Sequence, residues 1–228
     1  MKKSFSIFFL CATASIAHAQ SPIKAGTVAL GGSINYSHSG NEVSSNTGYR
    51  NGSYSSSTSN NTLSLSPEAS YFVVDNLSVG LSLNYSIQEL SFSSSPNSSS
   101  GNNYRGDATS FRVGPFVRYY KMLTDQFGFT GTLGAGYEHD KQPGQTNNSV
   151  ALKANGFYTA LTPGVIFLPI PKLGIGASIG GLGYTRLDVK PETSTTNTNS
   201  SYTQTDSTFG ASFGLAQLTF SGTYFFGR

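Results

Sequence analysis

Apolar and polar residues alternate one by one along most of the chain, the two-residue period of β-strands whose two faces meet different surroundings. Val28, Leu30, Ile34 and Tyr36 alternate with Thr27, Ala29, Ser33 and Asn35. Leu63, Leu65, Ala69, Tyr71 and Val73 alternate with Ser64, Ser66, Glu68 and Ser70, and Val79 to Ile87 alternate with Ser78 to Ser86. Continued to the end, the pattern predicts eight strands at about 25–37, 62–74, 78–90, 109–121, 127–139, 152–168, 173–186 and 208–226. A repeat organises them: Pro67, Pro115 and Pro163 lie 48 residues apart, each followed four residues later by an aromatic (Tyr71, Tyr119, Phe167) and then by a short break. The unit is strand, short turn, strand, long polar segment, which is a meander of hairpins.

The long connections, about 39–60, 91–108, 140–149 and 188–206, are nearly pure Ser, Asn, Thr, Gly and Gln. The runs 55–61 and 193–197 within them are low in complexity and predicted to be mobile. All four fall at one end of the meander, with the short breaks near Asp75 and Asp125 at the other. This asymmetry is that of membrane-spanning barrels, which pair short inner turns with longer outer loops. An even strand number returns both termini to the side of the short turns.

Composition decides which solvent the apolar face meets. Only 11% of residues are charged, and the face opposite the apolar one is mostly Ser, Thr, Asn and Gly, with Glu68, Arg112, Arg118 and Glu138 among them. A water-soluble barrel would point a charged face outward; here the small polar face suits the narrow interior of an eight-stranded barrel, and the apolar face suits lipid. A closed sheet leaves no backbone group unpaired in hydrocarbon. The fold class is therefore an all-β, eight-stranded antiparallel up-and-down transmembrane barrel. The outward aromatics Tyr71, Tyr119, Phe127, Phe167 and Tyr224, all near the short turns, are expected to form a girdle at the membrane interface.

The N-terminus points to export. Lys2 and Lys3 precede an apolar stretch, Phe5 to Ile16, too short to span a bilayer, and Ala17-His18-Ala19 supplies a small-x-small cleavage triplet. Residues 1–19 are expected to be a cleaved signal peptide and 20–228 the barrel domain, beginning at Gln20. Leu10 before Cys11 does not fit a lipoprotein signal, and Cys11, the single cysteine, lies in the removed segment, which leaves no disulfide and no thiolate metal site. Without the two signal lysines, 12 basic residues face 11 acidic ones, so nothing in the charge points to a nucleic-acid partner.

The last strand carries Leu218, Phe220, Gly222, Tyr224 and Phe226 on one face, followed by Gly227-Arg228. With Leu63 to Tyr85, LSLSPEASYFVVDNLSVGLSLNY, and the hairpins around Pro115 and Pro163, the chain resembles the small outer-membrane β-barrel family that includes OmpX and the OmpA transmembrane domain. The resemblance covers the whole mature chain and implies a place in the outer membrane of a diderm bacterium, loops outside and termini in the periplasm. It also implies recognition of the last strand by barrel-assembly machinery, outer-membrane lipid as the surrounding partner, and a monomer. It specifies architecture and not activity.

Residues with chemistry are few. His38 and His139 are the histidines of the mature chain, each near the loop end of its strand. Because barrels of this size include lipid-modifying enzymes, a serine–histidine or histidine–acid site is a candidate. Serine is so abundant that its proximity to either histidine carries little information, and Glu138 and Asp140 flank His139 in sequence and so point to the opposite face. Catalytic, cofactor and metal sites are all expected to be absent. Glu68, Arg112, Arg118 and Glu138 face inward by parity and are expected to be partnered as buried charges must be. The repeat sets Glu68 level with Phe116, between Arg112 and Arg118 on a strand two away, so Glu68 is predicted to pair with one of those arginines. Gly131, Gly134 and Gly136 read as strand bends or close packing. At Gly180-Gly181 the apolar parity slips from Ile179 to Leu182, the mark of a bulge. Three functions remain: a non-enzymatic surface or membrane-stabilising protein with an unnamed loop partner, a narrow channel for small solutes, and, least favoured, a lipid-active enzyme.

Overall fold

The computed structural model describes residues 22–47, 52–96, 103–144, 151–191, 203–214 and 217–227. Eight antiparallel strands run in sequence order: β1 Val28–Thr47, β2 Gly52–Val74, β3 Leu77–Pro96, β4 Asn103–Met122, β5 Phe127–Gln142 and β6 Leu152–Ile170. The seventh consists of β7a Leu173–Ile179 and β7b Gly181–Pro191, and the eighth of β8a Gln204–Ser212 and β8b Leu218–Phe226. Each pairs with the next, and β8b closes the cylinder on β1 from Val28 opposite Phe226 to Ile34 opposite Phe220. The fold is the closed up-and-down barrel that the alternation predicts. The signal segment 1–19 lies outside the described residues.

Side chains of opposite parity separate as lipid and lumen require. Outward apolar residues run from Leu63 to Val73 on β2, Leu77 to Ile87 on β3, Phe127 to Tyr137 on β5 and Phe157 to Phe167 on β6, and all their large apolar side chains but half-buried Leu77 and Val165 are exposed. Each run is about eleven residues long, close to what a tilted strand needs to cross the hydrocarbon. Tyr71, Tyr119, Phe127, Phe167 and Tyr224 stand outward at its short-turn edge. The opposite edge carries a second aromatic row that the parity reading did not single out: Tyr36, Tyr85 opposite Phe111, Tyr137 opposite Phe157, and Tyr184 with its ring centroid 5.9 Å from that of Phe157.

The strands are longer than the sequence predicts. β1 and β2 stay paired as far as Thr47 opposite Gly52, so much of 39–60 is ladder and not loop, and the run 55–61, predicted mobile, is strand throughout. β3 and β4 likewise run to Pro96 and from Asn103, and β7b and β8a extend into the stretch read as loop 188–206. Serine and asparagine are poor strand formers by propensity. Registered pairing with strands already fixed lower in the barrel carries them along, with Thr58 opposite Phe92 and Ser59 opposite Ser91. The run 193–197 lies outside the described residues.

The parity slip at Gly180 is a bulge, with φ +79° at that residue. Ala177 pairs with Val165 but Leu182 pairs with Leu161, so β7 holds one residue more than β6. On the other side, β8 leaves β7 after Ser212 and rejoins it at Leu218. β8a pairs with β7b but has no ladder to β1, so among the described residues the upper edge of β1, from Asn35 onward, meets no strand on that side. The cylinder is closed below this level and has a seam above it.

Candidate functional site

The lumen is the place where functional chemistry could sit, and it has three levels. At the short-turn end it is filled by an apolar plug. Phe72, Tyr120 and Phe225 point inward and are essentially fully buried, with ring centroids 5.3, 6.1 and 6.5 Å apart. Ile23, Ala29, Met122, Ile166 and Leu168 complete the cluster. The segment before β1 is stitched across the rim: Ile23 N–H donates to Asn76 Oδ1 at 2.9 Å, Asn76 N–H to the Ile23 carbonyl at 2.9 Å, and Ala25 N–H to Asp75 Oδ1 at 2.9 Å. The turn of Asp75-Asn76, where Asn76 adopts φ 64°, is thus a receptor for the N-terminal segment as well as a hairpin turn.

This plug corrects the expectation of an interior built from small polar residues and ion pairs. Its sequence signal lies in the doubled aromatics Tyr71-Phe72, Tyr119-Tyr120 and Tyr224-Phe225. Wherever two aromatics are adjacent in a strand, one faces lipid and the other must face the lumen.

Above the plug, Arg118 and Glu68 form a bidentate pair, Nη1 to Oε1 at 2.5 Å and Nη2 to Oε2 at 2.8 Å. Arg118 Nε donates to Thr132 Oγ1 at 2.8 Å, and the guanidinium lies 4.9 Å from the Phe116 ring centroid. β3 separates the two strands, so the pair spans the inner wall across one strand. A cavity of about 190 Å³ lies beside it, lined by hydroxyls that include Ser33, Ser66, Ser82, Thr130 and Thr162. Of the two arginines open to Glu68, the structure uses Arg118. Arg112 instead meets Glu138, directly opposite it in the β4–β5 ladder, at 2.5 Å, and stacks 5.3 Å from the Tyr158 ring centroid. Glu138 is buried while Arg112 is partly open to solvent at the wide end. The histidines stay outside this arrangement. His38 on β1 is hydrogen-bonded through Nδ1 to Asn61 Oδ1 at 2.6 Å, and His139 on β5 to Asn155 Oδ1 at 2.7 Å, an oxygen that also accepts from the Tyr137 hydroxyl.

A polar vestibule above an apolar floor, enclosed by a lipid-facing cylinder, defines the class as a small transmembrane β-barrel. No family model matches the chain, and no curated protein matches it in sequence. Among solved structures it is similar to the crystal structure of the outer membrane protein OprG from Pseudomonas aeruginosa, with 15% identity, a TM-score of 0.53, and coverage of 90% of this chain and 98% of that one. At this identity the likeness is one of fold.

Proposed function

We propose that this chain is an outer-membrane barrel that works through its outer wall as a non-enzymatic surface protein, with the long-strand end outside the cell and both termini in the periplasm. One observation carries the reading: the lumen is floored by apolar rings at one end, while at the other β2 and β3 continue roughly ten residues beyond the lipid-facing band, about 30 Å of strand at ~3.3 Å per residue. A wall built mainly of Ser, Asn and Thr is a surface for contact and not a conduit. The outward positions of His38 and His139, each held by an asparagine, favour a non-enzymatic role. In this reading the signal peptide is removed, the machinery that assembles barrels inserts the chain, and lipid surrounds a monomer.

Protein from outer-membrane fractions is expected to have the intact mass of a chain beginning at Gln20. Protease added to whole cells is expected to cut between β3 and β4 or between β7b and β8a and to spare the turns at Asp75 and Asp125. Cutting at those turns in intact cells would reverse the orientation.

The seam between β1 and β8a favours a second reading, in which small solutes enter the vestibule and leave sideways into the bilayer. This predicts a barrel that carries no ionic current yet speeds uptake of a small apolar dye into vesicles. Uptake equal to that of empty vesicles would remove it.

A further inference from the structure

Most of the lumen floor is carried by the wall itself. Phe72, Tyr120, Met122, Ile166, Leu168 and Phe225 stand on β2, β4, β6 and β8b, four strands that are each paired on both sides. Ile23 is the exception. It comes from residues 22–26, the segment before β1, which belongs to no strand. It is nonetheless fully buried, while Lys24, Ala25 and Gly26 beside it are exposed.

A short set of hydrogen bonds holds this segment to the rim. Besides the three bonds to Asp75 and Asn76, Gly26 N–H donates to the Phe72 carbonyl at 2.9 Å. Gly26 also joins the segment to the foot of β1. It adopts φ +87°, which favours glycine, and open space surrounds the position a side chain would take there. A residue of this kind, at the end of an element, can absorb a large change of backbone angle. The seated arrangement also carries a cost. Thr27, two residues before inward-facing Ala29, is 2% exposed although it stands at the rim, and its hydroxyl has no hydrogen-bond partner among the described residues. A buried hydroxyl left unpaired destabilises the state that buries it, and water satisfies it.

We propose that residues 22–26 are a hinged strap that opens the lumen floor at the short-turn end without unzipping the wall. Seated, the strap holds Ile23 in the apolar cluster and covers Thr27. Lifted about Gly26, it takes Ile23 out of the floor, admits water to Thr27 and leaves the three rings on their strands. Lifting exchanges a few rim hydrogen bonds for bonds to water, whereas moving any ring means breaking ladders on both of its sides. Local opening follows the smaller of these costs. The strap gives water and small solutes a way into the floor from the end where the wall has no seam, whichever side of the membrane that end faces.

Cysteine protection in the folded mature barrel tests the strap, since the chain beyond Cys11 has no cysteine of its own. Thr27→Cys and Ala29→Cys are each treated with a small cationic methanethiosulfonate, with the wild-type strap and with Asn76→Gly or Ile23→Ser added. Asn76→Gly removes the side-chain acceptor of the Ile23 N–H and keeps the left-handed turn, and Ile23→Ser removes the apolar anchor. Position 27 is expected to react slowly with the wild-type strap and about tenfold or more faster with either change. Position 29, 2% exposed and laddered between Ser70 and Phe225, is expected to stay protected throughout. All these proteins are expected to keep the heat-dependent gel mobility of a folded barrel. A rate at position 27 that neither change raises would overturn the strap. So would a rate at position 29 that rises in step with it, since the floor would then open together with the wall.

Discussion

Replacing Phe72 and Phe225 together with serine is expected to turn a silent barrel into one that passes ions. The two rings and Tyr120 floor the lumen, and the cavity beside the Glu68–Arg118 pair already reaches Tyr120. Removing two of three rings leaves a gap lined by serine, which water fills readily, where the wild-type floor is dry. In planar bilayers the wild-type protein is expected to show no steps of conductance and the double variant small ohmic ones. The same rings carry stability. Phe72→Ala removes a fully buried aromatic and is expected to cost about 3–5 kcal/mol, read as an earlier urea midpoint in detergent or vesicles. A double variant that stays silent while folded would place the barrier elsewhere, and a wild-type barrel that conducts would discard the plug as a seal.

Glu68→Gln and Arg118→Met are each expected to lower stability by about 3 kcal/mol, because either change strands a charge inside the wall. The figure sits at the low end for broken buried pairs, since both side chains retain some exposure to the cavity, 18% for Arg118 and 16% for Glu68. The double variant Glu68→Gln/Arg118→Met is expected to lose clearly less than the sum of the two, because it leaves no unmatched charge. Glu138→Gln is expected to be milder, since the arginine it leaves behind, Arg112, is 43% exposed and water replaces part of what it loses. Arg112→Met strands Glu138, 3% exposed, and is expected to cost as much as either change at the lower pair. Additive losses at positions 68 and 118 would mean that the two side chains do not act as a pair.

Architecture was legible because lipid imposes a strict alternation, and a shift of one residue would turn every apolar side chain inward. The bulge at Gly180 was legible for the same reason, as a break in that parity. Strand length was not. Above the bilayer both faces meet water, so no alternation marks where Ser55 to Asn61 pair, and their propensity argues against a strand. Inward residues were legible as a class, but the choice between Arg112 and Arg118 was not, because the register of β4 on β5 decides it by setting Glu138 opposite Arg112. The plug was written in the doubled aromatics, yet a rule that assigns aromatics to the interface by height counts only one of each pair.

The ladder that closes the cylinder joins the two ends of the chain and holds seven residue pairs, against twenty between β1 and β2. Its partners are the most distant in sequence of any neighbouring strands, so its formation carries the largest entropy of loop closure and comes late in assembly. Until then the chain is a curved, inserted sheet with two free edges. The event that ends this state also buries Ile23 and Phe225 in the floor, so closure of the wall and sealing of the lumen are one kinetic step. On a barrel at equilibrium, amide exchange is expected to run fastest along β8a, whose outer edge meets no strand among the described residues, and slowest between β2 and β3, each of which is paired along both edges.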